Sequence, residues 1–181
     1  MSISALEIVK EFFIINNFYV ISKDGFLIVK NPEETGKEIE NFVIEKEKIF
    51  FINEGIIKVL SWHTLKFTPS VIKKFSAEIF EITEEKFYRE VKNFLGKEKF
   101  KKILVIPGLP STKNLREESI KIMKENGIDH VIFFNTIISG LIDKIDERKV
   151  YQSHTLEIIR ILKFYKFFYK KNLDAFLFDE K

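Results

Sequence analysis

The residues with the clearest chemical potential are three glutamates and a lysine near the middle of the chain. Glu45, Glu47 and Glu54 lie on either side of a short apolar stretch, and Lys58 follows four residues after the last of them. Carboxylates are preferred protein ligands of Mg²⁺ and Mn²⁺, and a nearby lysine can contact a phosphate bound to such a metal. These residue types make Glu45, Glu47 and Glu54 candidate ligands of a divalent metal, and Lys58 a candidate contact for a phosphate near it.

Other ionisable side chains have simpler interpretations. Glu7 and Glu11 are four residues apart in a predicted helix and share one face, which is typical of solvated charge. Glu7 also follows Ser4 by three residues, as in a capping box. His63 comes directly after Trp62, and a lone histidine in a strand is more often a surface residue than a catalytic base. Glu7 and Glu11 stay secondary candidates for the same metal.

A basic stripe near the C-terminus is the strongest electrostatic feature. At about 100° per residue, five basic residues of a helix predicted over 154–171 fall within roughly 140° of arc. They are Arg160, Lys163, Lys166, Lys170 and Lys171. Such a stripe could follow a line of phosphates, with Phe167 in the same arc available for base stacking. The alternative is a solvated lysine face above an aromatic core stripe.

The segment 107–112, Pro-Gly-Leu-Pro-Ser-Thr, lies between a predicted buried strand and a helix N-terminus. Folds of the α/β class often bind anions at such a place. The segment lacks the glycines of a dinucleotide loop and the Gly-Lys-Ser/Thr of a P-loop. A capped turn is therefore the first interpretation, and a small-ligand or nucleotide site is the second.

Composition excludes several classes of protein. The chain has 181 residues and no cysteine, so disulfide frameworks, thiolate metal sites and cysteine nucleophiles are ruled out. A net charge of +3 on 30 basic and 27 acidic residues does not by itself indicate a nucleic-acid partner. Charged residues interrupt the apolar N-terminus, so we expect no signal peptide and no membrane span. We expect one soluble, cytoplasmic domain over 1–181, and the lysine-rich composition is compatible with a thermophile.

The first half of the chain predicts antiparallel strands after one helix. Helical spacing indicates a helix over 5–16, and Asp24-Gly25 between two apolar strands indicates a tight hairpin. A polar loop over 31–40 follows, with a further turn expected at Glu54-Gly55. The expected strands and apolar run cover 18–22, 26–30, 42–45, 49–53 and 56–67. We interpret this half as a meander.

The second half predicts helices and a parallel unit. Thr68-Pro69 indicates the start of a short helix, whereas 77–82 fits an edge strand equally well, and a clearer helix should end near Gly96. A strand, a helix and a strand should then form a parallel unit, followed by two helices. Their expected ranges are 103–106, 112–126, 130–134, 136–147 and 154–171. The whole chain is therefore expected to fold as an α/β protein with a mixed sheet.

This order of elements resembles the restriction-endonuclease-like, or PD-(D/E)XK, nuclease superfamily. The resemblance implies an acidic residue at the start of the second core strand and an acidic-x-lysine triplet on the third, which together hold divalent metal. The corresponding strand here reads Ile56-Ile57-Lys58-Val59-Leu60. If the acid of the family aligns with Lys58 and its lysine with Leu60, both are missing. The resemblance therefore implies a nuclease-like fold with a degenerate or rearranged active site.

Three functions follow as hypotheses. The first is a nucleic-acid-associated protein that binds DNA or RNA and uses Mg²⁺ or Mn²⁺ only if it cleaves. The second is a non-enzymatic interaction or scaffold module, because 20 phenylalanines in one domain can leave an aromatic surface for self-association. We expect a homodimer in that case. The third is a small-ligand or nucleotide binder at the 107–112 turn.

Overall fold

The computed structural model describes residues 2–32, 37–40, 49–96 and 99–168. Its strands are β1 Tyr19–Lys23, β2 Phe26–Lys30, β3 Lys37–Glu40, β4 Ile49–Ile52, β5 Glu54–Val59, β6 Lys101–Ile106 and β7 His130–Phe133. Its helices are α1 Ile3–Ile15, α2 Pro69–Lys74, α3 Ser76–Phe80, α4 Glu85–Leu95, α5 Lys113–Glu125, α6 Phe134–Lys144 and α7 His154–Phe164, and a 3₁₀ turn covers Glu81–Thr83. The expected mixed α/β class is confirmed.

The main sheet has five strands in the order β1-β2-β5-β6-β7. The pairs β1–β2 and β2–β5 are antiparallel, whereas β5–β6 and β6–β7 are parallel. The strand β5 is therefore the strand at which the sheet changes from antiparallel to parallel pairing. The parallel connections pass through helices, α2 to α4 after β5 and α5 after β6.

The β1–β2 hairpin forms at the dipeptide that predicted it. Asp24 and Gly25 both have positive φ, 48° and 86°, as a tight hairpin turn with the right-handed twist of its strands requires. The turn pairs Lys23 with Phe26 and so sets the β1–β2 register. A separate, long-range pairing of β2 with β5 places Phe26 opposite Lys58.

Helices cover both faces of the sheet and create two cores. Alternation along β5 sends Ile57 and Val59 to a core with α1, α6 and α7, and sends Ile56 to a core with α2 to α5. In the first core α1 and α6 approach closely. A Cβ atom on Gly140 would lie 2.6 Å from the ring of Phe12, so a larger residue there would force that ring to shift.

Several expected features of the strand region are wrong. Part of the loop expected over 31–40 is the strand β3, which pairs with β4 in a separate two-stranded sheet. Glu54-Gly55 is no turn, because both residues pair with β2 and belong to β5. The strand expected over 42–45 lies outside the described residues. The antiparallel part of the main sheet is therefore β1, β2 and β5, not a simple meander.

The helical region also differs from expectation. The edge strand considered over 77–82 is helical, because α3 and the 3₁₀ turn occupy it. Trp62 and His63 follow β5 in a loop. The last helix ends at Phe164 because Lys166 adopts a left-handed φ of 59°, and the NH of Phe167 donates to the carbonyl of Leu162. Among the described helices, none has the length and apolar character needed to cross a membrane.

Candidate functional site

A cleft of about 190 Å³ opens at the carboxyl end of β5 and is the candidate site. It lies between the β1–β2 turn, the loop that follows β5, and α3 with its 3₁₀ turn. The side chains of chemical interest that line this β5 cleft are Asp24, Phe26, Lys58, Trp62, Glu78 and Glu81. Ligands of α/β sheets bind outside the carboxyl ends of the parallel strands, which is where this cleft lies.

Lys58 is the central charged residue of the cleft. Its residue surface is only 7% exposed, and its ammonium forms an ion pair with the carboxylate of Glu81. The same Nζ lies 4.9 Å from the ring centroid of Phe26, the residue opposite it on β2. A buried ammonium is costly unless it is paired, so Glu81 and the Phe26 ring together account for its stability there.

Carboxylates surround the rest of the cleft. Asp24 and Glu78 are exposed at its mouth, and the side chain of Glu81 is 39% exposed. Three acidic groups against one lysine make the cleft acidic. Within the described ranges, however, no three histidine, aspartate or glutamate side chains come close enough together to hold a metal ion.

Trp62 forms an aromatic wall beside Lys58. Its ring stacks on Phe67, with 5.6 Å between the centroids and 6° between the planes, and it also contacts Phe75 at 5.0 Å. The loop is held in place because the Leu65 NH donates to the Trp62 carbonyl at 2.9 Å. Trp62 is half-buried and is the single tryptophan of the chain. The cleft thus has one fixed aromatic side.

Of the predicted cluster of Glu45, Glu47, Glu54 and Lys58, the described residues Glu54 and Lys58 do not lie together. Glu54 is 6% exposed and its carboxylate lies 3.7 Å from the ammonium of Lys30. It lies four residues before Lys58 on β5, a separation of about 13 Å along a strand. Glu45 and Glu47 lie outside the described residues. Glu54 and Lys58 therefore belong to opposite ends of the strand.

The secondary acidic candidates lie on the other face of the sheet, in α1. Glu7 pairs with Lys10 at 3.1 Å. Glu11 is buried, and its carboxylate accepts a hydrogen bond from the hydroxyl of Ser153 at 2.7 Å. This second contact joins α1 to the start of α7. Both carboxylates are remote from the β5 cleft.

Two histidines, His63 and His130, lie outside the lining of the β5 cleft. His63 is exposed, and its ring meets the edge of Phe134 at 4.8 Å. Burial lowers the pKa of His130, and the charge of Lys101 lowers it further, whereas Asp129 acts in the opposite direction. His130 begins β7, so it lies at the opposite end of the parallel strands from the cleft.

The basic stripe is only partly within the described residues. Arg160 donates two hydrogen bonds to Glu157, at 2.9 and 2.5 Å, and a third to the Glu147 carbonyl at 3.1 Å. The ammonium of Lys163 donates to the carbonyls of Ile142 and Ile145 at 2.5 and 2.8 Å. Lys166 is exposed beyond the helix end. Lys170 and Lys171 lie outside the described residues, and the nucleic-acid role of the stripe stays a prediction.

Two backbone carbonyls of the 107–112 turn accept hydrogen bonds from other parts of the chain. The Gly108 carbonyl accepts from the NH of Phe67 at 3.1 Å, and the Pro110 carbonyl accepts from Nε of Arg116 at 3.1 Å. Thr112 precedes α5 without a side-chain cap. These contacts describe a turn that is packed against the loop after β5.

Sequence reasoning missed three residues of the cleft, namely Asp24, Glu78 and Glu81. Glu78 and Glu81 are three residues apart and would share a helix face, but the alternating pattern of 77–82 also allowed a strand. Asp24 was assigned a turn role alone. The pairing of β2 with β5 brings the β1–β2 turn to the carboxyl end of β5, and no local pattern in the sequence indicates that pairing.

Comparison with known proteins gives no further assignment, because no family model, no curated protein and no solved structure matches the chain.

Proposed function

We propose that this chain is a nucleic-acid-associated protein with a restriction-endonuclease-like core, and that the β5 cleft contacts one nucleotide of a bound strand. Lys58 faces the phosphate in this proposal. The observation that carries it is the presence of Asp24, from the β1–β2 turn, and Lys58, from β5, in a single cleft.

The resemblance to the nuclease superfamily supports the assignment of these two residues. With β3 and β4 regarded as an insertion, β2 is the second core strand and β5 is the third. Asp24 then comes just before the second strand and Lys58 lies on the third, in the place of the lysine of the triplet. This alignment differs from the one expected from the sequence, which put the acid of the family at Lys58. Ile56 now occupies the position of that acid.

The surroundings of Lys58 favour binding over cleavage. Ile56 cannot bind a metal, and Lys58 is engaged by Glu81. The described residues contain no group of three metal ligands. We therefore propose recognition of a phosphodiester and derive no catalytic step.

The volume of the cleft suits one group of a longer ligand better than a whole small molecule. Sites for drug-sized molecules usually have volumes of about 300–1,000 Å³, whereas this cleft has about 190 Å³. An aromatic side chain beside a lysine is also a common way to hold a base and its phosphate in single-stranded nucleic acid. Trp62 and Lys58 provide that pair.

The acidic mouth sets the expected strength of binding. A phosphate must compete with Glu81 for Lys58, and the exposed carboxylates of Asp24 and Glu78 repel it. Because these two carboxylates are exposed, their repulsion is screened by salt and is modest. Removing the charge of Glu81 should therefore strengthen binding, whereas removing the charge of Lys58 should weaken it.

The test uses the fluorescence of Trp62, which reports on this cleft without a label because the chain has no other tryptophan. Single- and double-stranded DNA and RNA are titrated across a salt series, once with EDTA and once with Mg²⁺ or Mn²⁺. The variants are Lys58→Met and Glu81→Gln. Lys121→Met is the matched control, because it removes the same charge from an ion pair with Glu125 on α5, outside the cleft.

We expect Lys58→Met to weaken binding about tenfold and to reduce the salt slope by about one. Glu81→Gln should tighten binding about threefold, and Lys121→Met should change little. Unfolding temperatures check that each variant is folded. Absence of binding at low salt would overturn the proposal, as would equal effects of Lys58→Met and Lys121→Met. Metal-dependent cutting would overturn the restriction to binding.

A further inference from the structure

The outer surface of α7 carries an apolar patch that the rest of the described chain leaves uncovered. We call it the outer α7 face and define it by Ile158, Ile161, Phe164, Tyr165 and Phe167, whose exposed fractions are 59, 41, 55, 68 and 70%. Single exposed apolar residues are ordinary, but several large ones within ten residues of one helix and its end are informative.

The basic residues of α7 are turned away from this face. Arg160 is held by Glu157 and by the Glu147 carbonyl. Lys163 reaches to the last carbonyls of α6. Long basic side chains often cover neighbouring apolar surface and keep it hydrated. Here they are engaged elsewhere, so the outer α7 face lacks that cover.

The area of the patch is sufficient for a small specific interface. An aromatic side chain can bury about 150–250 Å², and three of them here are more than half exposed. Together with the two isoleucines, the patch offers about 500–600 Å², near the upper end for the largest patch of a monomer. Two such patches facing each other would bury about 1,100 Å², which passes the roughly 1,000 Å² expected of a biological interface.

We propose that the outer α7 face is the interface of a homodimer, in which α7 packs against α7 of a second copy across a twofold axis. A twofold interface uses the same patch on both subunits, so the patch must complement itself. An apolar patch with Arg160 and Lys163 directed elsewhere can meet that requirement, and homodimer interfaces are more apolar than other interfaces. This proposal is independent of nucleic-acid binding at the β5 cleft.

The experiment measures the mass of the full chain in solution by sedimentation or by light scattering, from about 1 to 100 µM. The test variant is Ile161→Glu combined with Phe164→Glu. The control is Leu115→Glu on α5, because Leu115 and Ile161 are both 41% exposed on helices. Unfolding temperatures are recorded at a concentration where each protein is monomeric.

We expect a dimer for the original chain and for Leu115→Glu, and a monomer with an unchanged unfolding temperature for the double variant. A monomer at 100 µM for the original chain would overturn the proposal. A dimer that survives the double substitution would also overturn it, because the interface would lie elsewhere. A monomeric double variant with a markedly lower unfolding temperature would overturn it too, since the face would then be covered within one chain.

Discussion

The β5 cleft and the outer α7 face depart from the usual distribution of polar and apolar groups in opposite ways. The cleft contains Lys58, a charged residue that is 7% exposed, whereas the α7 face contains Tyr165 and Phe167, which are 68 and 70% exposed. In both regions a lysine ammonium is engaged by a partner within the chain. The charge of Lys58 is held inside by Glu81, and the charge of Lys163 is held against the end of α6.

The two lysines nevertheless differ in the kind of partner they have and in whether a ligand can reach it. Lys58 has a half-exposed carboxylate as its partner, in a cleft that a ligand can enter. Lys163 has two backbone carbonyls as partners, that of Ile142 in the last turn of α6 and that of Ile145 directly after the helix. A ligand in the cleft would compete with Glu81 for Lys58, whereas loss of the Lys163 contacts would leave the Ile142 and Ile145 carbonyls without this donor. Under the proposed function we therefore expect a binding role for Lys58 and a structural role for Lys163.

The largest effect should come from the residue that fixes the position of α7. Ser153 caps α7 by accepting from the Leu156 NH, and it also donates to the buried carboxylate of Glu11. Ser153→Ala removes a helix cap and leaves a buried carboxylate without this donor, which should cost about 2–3 kcal/mol. Chemical denaturation measures this loss. Ser153→Thr keeps the hydroxyl and should recover most of the stability, and an Ala variant as stable as the original chain would contradict the assigned contacts.

A smaller loss should follow from Lys163→Met. Hydrogen bonds from a charged donor contribute about 1.5–3 kcal/mol, and the partly buried Lys163 should be near the lower end of that range. A loss of about 1.5 kcal/mol should lower the unfolding temperature by roughly 3–6 °C in a chain of this size. Binding at the β5 cleft should not change.

Lys166→Met is the control for this substitution, because Lys166 is exposed beyond the helix end, and it should change stability by less than about 0.5 kcal/mol. If Lys163→Met weakened nucleic-acid binding and left stability intact, the contrast between Lys58 and Lys163 would fail. That result would instead support the nucleic-acid binding by the basic stripe that the sequence suggests.

The smallest expected effect is a dependence of stability on pH at the base of α7. The hydrogen bond from Arg160, aided by the NH of Tyr151, lowers the pKa of Glu157 from 4.5 to about 2. Because the folded pKa is the lower one, the stabilisation is present above about pH 4.5 and is lost as the pH falls towards 2. Both groups are near solvent, so added salt should reduce the effect.

Denaturation midpoints of the original chain and of Glu157→Gln at pH 7, 4, 3 and 2.5 measure this dependence. The original chain should be the more stable at pH 7, and the two should converge at the lowest pH. A difference that is constant with pH would mean that the carboxylate charge of Glu157 does not stabilise the fold.

The features predictable from sequence are those with local causes. Asp24-Gly25 indicates the β1–β2 hairpin because few dipeptides tolerate two positive φ values. The apolar strands around α5 indicate the parallel unit because a strand, helix, strand connection has one favoured arrangement. Thr68 and Pro69 indicate the start of α2, where the Thr68 hydroxyl accepts from the Val71 NH at 3.3 Å.

The features that sequence reasoning missed depend on residues far apart in the chain. Glu54 and Gly55 have the composition of a turn, but pairing with Lys30 and Val29 of β2 makes them part of a strand. Residues 77–82 alternate like a strand but pack as a helix against the second core. The end of α7 was missed because Lys166, and no glycine, adopts the left-handed conformation there.

The sequence by itself determined the class of the fold, the tight hairpin and the parallel unit, because turn chemistry and hydrophobic periodicity act within a few residues. Only the tertiary structure decided which charges meet. Residues 24, 58 and 81 come together because β2 pairs with β5 and α3 folds over the end of β5, and no local pattern records those distances. Lys58 and Lys163 also take their positions from the tertiary structure, because the partners that compensate their charges lie far away in the chain.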